Sequence, residues 1–141
     1  MILFCDTSAL VKLYLLEDGS DTVASSAAES EALVVCRLTW VEVMSALARR
    51  TRERPQDVSI LTASRQRFMA HWPEFLCLEV TQELTELAGD YADTFALRAY
   101  DSVQLAAAHF ARRNLAGDVA FACFDTRLAK AARVLGLQTT P

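Results

Sequence analysis

The chain has 141 residues, 52% of them hydrophobic and 23% charged, with a formal net charge of −4. This composition describes one folded domain over residues 1–141 and excludes a disordered chain; no apolar run reaches the roughly 18–20 residues that cross a bilayer. Fourteen basic against eighteen acidic residues argue against a protein that grips nucleic acid by bulk positive charge, but leave room for an enzyme that meets phosphates through metal ions held by carboxylates.

Ile2 to Cys5 is a wholly apolar run that stops at Asp6, the pattern of a central strand buried on both faces. A helix follows from Ser8 to Leu16, and a second from Ser20 to Glu29. Ala32 to Cys36 reads as the next strand. Thr39 opens a helix through Arg52, and Pro55 begins a long one that ends near Trp72-Pro73. Phe75 to Val80 is a third strand. Thr81 to Ala96 is helical, with Leu84, Leu87, Ala88 and Tyr91 on one stripe. Asp101 to Arg112 is an alanine-rich helix, and Val119 to Phe124 a fourth strand that stops at Asp125. The last helix runs from Asp125 to Leu135 and ends on Gly136, a C′ glycine, before a short edge strand over Leu137 to Thr139. Strands alternating with helices predict an α/β fold, a mostly parallel sheet of four to five strands between two helical layers.

In such sheets, ligands bind beyond the carboxyl ends of the strands. Asp6 and Asp125 each follow an apolar strand directly. Glu42 lies in the first turn of the helix after the second strand, and Asp101 opens the helix before the fourth. Each acid also has an ordinary structural reading. Asp6 and Asp125 suit helix caps, Thr39-x-x-Glu42 fits a capping box, and Asp101 is favoured by the helix dipole. Four acids on one edge would nevertheless repel one another unless a cation neutralised them, and a hard divalent ion such as Mg²⁺ or Mn²⁺ suits oxygen ligands. Cys5, Cys36, Cys77 and Cys123 are spaced too widely for a zinc cage and read as reduced core residues. His71 and His109 sit in helical context and read as structural.

The stretch from Ile2 to Tyr14, with Asp6-Thr7-Ser8 at its centre, resembles the start of a PIN-domain ribonuclease, and more narrowly of a VapC-type toxin. Leu97-Arg98-Ala99-Tyr100-Asp101-Ser102-Val103-Gln104-Leu105-Ala106 resembles the third motif of that family. Phe124-Asp125-Thr126-Arg127-Leu128-Ala129-Lys130 followed by Gly136-Leu137 resembles the fourth, and Thr39-Trp40-Val41-Glu42 the second. The likeness spans the chain in order and implies a PIN-like α/β/α sandwich. It implies that Asp6, Glu42, Asp101 and Asp125 hold Mg²⁺ or Mn²⁺, with Asp6 and Asp101 the most secure ligands and Ser8 supporting Asp6. It departs at Cys123, where family members often carry Thr or Ser. The expected reaction is hydrolysis of RNA phosphodiesters by metal-activated water, leaving 5′-phosphate and 3′-hydroxyl ends. The expected partners are an RNA substrate, a cognate VapB-like antitoxin that lays a helix in an apolar groove, and a second copy in a homodimer.

Arg49, Arg50, Arg52 and Arg54 cluster at a helix end, either as favourable charge and a solvated face or as an RNA-backbone contact. Lys12 either approaches a substrate phosphate or pairs with an acid. The N-terminus lacks the basic start and long apolar stretch of a signal peptide, so a cytoplasmic protein without membrane attachment is expected. Two other readings compete: a housekeeping PIN-type RNA-processing nuclease, and a non-catalytic α/β interaction module with an acidic pocket. The second gives the Tyr100-Asp101 motif no role, and Ser8 stands where a dehalogenase-like phosphatase needs a second Asp.

Overall fold

The structure, a computed structural model, describes residues 1–141. Its five strands are β1 (Ile2–Cys5), β2 (Ala32–Cys36), β3 (Leu76–Leu78), β4 (Val119–Ala122) and β5 (Gln138–Thr140). They form one sheet in the order β3-β2-β1-β4-β5, and every pairing is parallel. The chain winds outward from β1 through β2 to β3, then crosses back to place β4 on the other side of β1. The two strands flanking β1 therefore carry their following loops to opposite sides of one crevice, the place where open parallel sheets bind ligands.

Seven α-helices cover the sheet: α1 (Thr7–Leu10), α2 (Ser20–Glu29), α3 (Thr39–Glu53), α4 (Val58–His71), α5 (Gln82–Phe95), α6 (Ala99–Asn114) and α7 (Thr126–Val134). Side chains alternate across a strand, and the alternation sorts the core into two layers. Phe4, Val34 and Phe121 pack towards α5, α6 and α7 with Leu84, Leu105 and Leu128. Leu3, Val35 and Ala120 pack on the opposite face with Leu10, Val43 and Phe68 from α1, α3 and α4. β1 is buried along its whole length because it is the middle strand of both layers.

The expected α/β sandwich is present, with local differences. The helix expected over Ser8 to Leu16 is only α1 followed by a tight 3-10 turn over Val11–Leu13, which turns Tyr14 and Leu15 into the core. The third strand shrinks to Leu76–Leu78 because it pairs only with Val34–Cys36 and because Thr81 stops it by capping α5. Pro55 opens a 3-10 turn rather than α4 itself. Gly136 ends α7 as expected, with positive φ and the Leu137 N–H donating to the Ala132 carbonyl. Gly19 is required for a different reason. Its φ is +92° and a Cβ there would stand 2.6 Å from the Phe124 ring.

Candidate active site

Asp6 is the first residue beyond β1, and burial leaves it 3% exposed. Its Oδ1 accepts from the Ala9 N–H at 2.9 Å, capping α1, and from the Ser8 hydroxyl at 2.7 Å. Ser8 Oγ also accepts from the Phe124 N–H at 3.0 Å, tying the end of β1 to the loop after β4. Asp125 stands three residues beyond β4, which ends at Ala122 rather than at Phe124, and caps α7 through the Leu128 N–H at 2.9 Å. Both acids are thus helix caps. That role fixes one oxygen of each, which agrees with the structural reading of these residues and does not compete with a ligand role for the other oxygen. Cys123 holds the same loop: its Sγ accepts from the Asp125 N–H at 3.3 Å and donates to the Asp125 carbonyl at 3.5 Å. A thiol therefore performs the local bracing for which the resemblance suggests a hydroxyl.

Glu42 lies in the first turn of α3, but the expected capping box does not form. The N-cap is Leu38, whose side chain caps nothing, and Thr39 is already inside the helix. The Thr39 hydroxyl instead accepts from Gln104 Nε2 at 2.9 Å. The same Nε2 donates to Glu42 Oε1 at 2.9 Å and reaches Thr7 Oγ1 at 3.3 Å. Thr7 Oγ1 donates to Glu42 Oε1 at 2.9 Å. Gln104 and Thr7 are functional candidates that the sequence reading passed over. The available signal for Gln104 was its spacing: it follows Asp101 by three residues and so shares that acid's face of α6.

Asp101 is half-buried near the start of α6. Burial raises its pKa, the neighbouring Asp125 and Glu42 raise it further, and Arg98 opposes them. The Asp6 carboxyl is pushed up to about 6, chiefly by burial and slightly by Asp101, while the Ser8, Ala9 and Cys123 donors pull the other way. These mutual effects place the four acids within electrostatic reach on one sheet edge. They do not close into a cage, since no three acidic side chains stand near enough to form a coordination sphere by themselves. None of the four lies within ion-pairing distance of a base, although Glu17, Glu31, Asp57 and Glu79 all do. A set of unneutralised carboxylate oxygens braced by hydroxyl and amide donors fits a hard divalent cation in its chemistry. The two histidines lie elsewhere, His71 bonded to Tyr14 and His109 to Tyr91.

Comparison with known proteins identifies the family. The sequence matches the family profile of the PIN domain over residues 3–134. It is 30% identical over 142 aligned positions to Ribonuclease VapC45 of Mycobacterium tuberculosis (strain CDC 1551 / Oshkosh), an alignment covering 99% of this chain and 95% of that protein. The fold is also that of M. tuberculosis VapC20, described as a Sarcin-Ricin loop cleaving toxin, with TM-score 0.67, 19% identity, and 92% and 94% of the two chains covered. A toxin-antitoxin complex from Klebsiella pneumoniae contains a similar chain, with TM-score 0.64, 19% identity, and 89% and 88% covered. The chain belongs to the PIN-domain family, among its VapC-type members.

Proposed function

We propose that the protein is a Mg²⁺- or Mn²⁺-dependent endoribonuclease, a single nuclease domain that acts as the toxin of a VapBC-type toxin–antitoxin pair. The observation that supports it most is the group of four carboxylates on one sheet edge with no basic partner, in a chain of this family. Asp6 and Asp101 would hold the ion, with Glu42 and Asp125 completing the set. When bound, the ion supplies an activated water and offsets charge on the leaving oxygen. Ser8 and the Ala9 N–H fix Asp6, and Thr7 and Gln104 fix Glu42. The acids grade from sealed Asp6 through half-buried Asp101 to exposed Asp125, so substrate meets the open end.

Two grooves open onto Glu42, one of about 440 Å³ that includes Thr7, Ser45 and Arg49, and one of about 260 Å³ that includes Arg98 and Asp101. Tyr100 lines both and is 61% exposed. Its ring offers a face to an unstacked base, and Arg49 and Arg98, neither in an ion pair, are free to meet phosphates. This favours the RNA-contact reading for Arg49, whereas Arg50 and Arg54 pair with Glu17 and Asp57.

The likeness to a chain of a toxin-antitoxin complex supports an antitoxin partner; we take it to be VapB-like, with a basic side chain that would neutralise the acids. A homodimer and a cytoplasmic location complete the proposal; no helix is long and apolar enough to cross a membrane. Purified protein incubated with RNA is expected to cut it only with Mg²⁺ or Mn²⁺, leaving 5′-phosphate and 3′-hydroxyl ends. Induction is expected to arrest growth until a small neighbouring gene is co-expressed. Cleavage that survives chelation would remove the mechanism, and cleavage without growth arrest would favour a housekeeping nuclease.

A further inference from the structure

We propose that Gln104 is the positioning residue that sets the Glu42 carboxylate for cation binding. The inference rests on the metal-dependent reading of the acid edge and adds a residue which that reading does not require.

Gln104 is 2% exposed in the middle of an alanine-rich helix, a costly place for an amide. Its Nε2 carries two protons and faces three oxygens, those of Thr39, Glu42 and Thr7. Its Oε1 is buried without any partner. The opposite amide orientation would put a carbonyl oxygen against the Glu42 carboxylate, so the donor end belongs on the acid side. An amide that spends both protons on the acid site and leaves its own carbonyl unpaired is retained for what it donates to. With Thr7 also donating, Glu42 Oε1 receives two hydrogen bonds, which leaves Oε2 as the oxygen free for a ligand.

The arrangement also couples two acids through one rigid element. α6 carries Asp101 and, one turn on, the group that holds Glu42 of α3. Thr39 anchors the amide from the α3 side, so the distance between α3 and α6 at this level is set by hydrogen bonds as well as by packing. A methionine at 104 would fill the same space and leave Glu42 held by Thr7 alone. A glutamate there would place a like charge against Glu42.

The test compares wild type with Gln104→Met, which removes the donor without opening a cavity, and measures Mn²⁺ binding by electron paramagnetic resonance alongside RNA cleavage. Both proteins are checked for folding by thermal melting. Gln104→Met is expected to bind Mn²⁺ about 10-fold more weakly, the usual size of loss for an outer partner of a metal ligand, and to lower kcat without raising KM for RNA. In a Glu42→Gln background the same substitution is expected to add almost nothing, because the two residues act as one unit. Thr39→Val, which removes only the anchor, is expected to give a smaller loss that also vanishes in that background, and it carries the test if Gln104→Met folds poorly. Unchanged Mn²⁺ affinity in folded Gln104→Met and in Thr39→Val would overturn the proposal, as would a loss of equal size with and without Glu42. Wild type that is folded but binds no Mn²⁺ would overturn the metal-dependent reading and this role with it. Wild-type binding with an indifferent Gln104 would overturn this role alone.

Discussion

Two groups of acids share Ser8 as a neighbour and are built on opposite plans. Glu17 is gripped on both sides, by Lys12 Nζ at 3.0 Å and by Arg50 at 3.4 Å, in a groove that Ser8 also lines. Lys12 further lies over the Phe124 ring, 4.5 Å from its centre. On the other side of Ser8, Asp6 is buried more deeply than Glu17 and has no base at all, and Glu42, Asp101 and Asp125 are equally unpaired. The Glu17 group is a carboxylate used for stability. The four-acid group has no such partner: burial and the neighbouring acids raise Asp6 and Asp101, a strain that the proposed cation would relieve. Arg49 and Arg98 line grooves with Glu42 and Asp101, and neither forms an ion pair with them.

Substitutions separate the two plans. Asp101→Asn should do the most to cleavage: loss of several kcal/mol of charge stabilisation lowers kcat by about 10³-fold, read in a gel assay with Mg²⁺. The pH dependence of stability should expose Asp6 next. Folded protein keeps a proton on this carboxyl up to about pH 6, whereas the unfolded chain releases it near 3.8. The folded state therefore binds more protons in that window, and metal-free stability falls as pH rises from about 4 to about 6, by up to about 3 kcal/mol. Denaturant titrations across that range should show the fall in wild type and a clearly smaller one in Asp6→Asn, where the raised Asp101 carboxyl still contributes, and saturating Mg²⁺ should reduce it most in wild type.

Smaller effects are expected further out. Tyr100→Ala should raise KM for RNA about 10-fold, the value of one lost base stack, while Tyr100→Phe restores it in steady-state kinetics. Glu17→Ala, on the paired side, should cost only about 1 kcal/mol and lower Tm by a few degrees in calorimetry. A large destabilisation from Glu17→Ala with none of the pH effect from Asp6 would reverse the contrast between the two groups.

Legibility followed the same division. β1 and β2 were readable to the residue because an apolar run bounded by polar residues has one solution in a parallel sheet. β3 was overestimated because an edge strand ends where its single neighbour does, which the run itself does not encode. The four acids could be singled out because Asp6 follows β1, Glu42 and Asp101 lie in first turns of helices, Asp125 caps the helix after β4, and all fall in family-like motifs. Their bracing was not. Thr39-x-x-Glu42 is the signature of a capping box, and here the same two residues are held by an amide 62 positions beyond Glu42. Gln104 looks like an incidental polar residue in an alanine-rich helix until α3 and α6 are packed together. Ser8 was placed beside Asp6 by resemblance, but its bond to Phe124 depends on β4 lying next to β1.

The most direct measurement is a Mn²⁺ titration of wild type, Asp6→Asn and Asp101→Asn at pH 7, followed by electron paramagnetic resonance. Saturable binding by wild type that is lost or sharply weakened in both folded variants is the expected result. Binding that is absent from wild type, or that survives both substitutions unchanged, would contradict the assignment of these unpaired acids to a divalent cation.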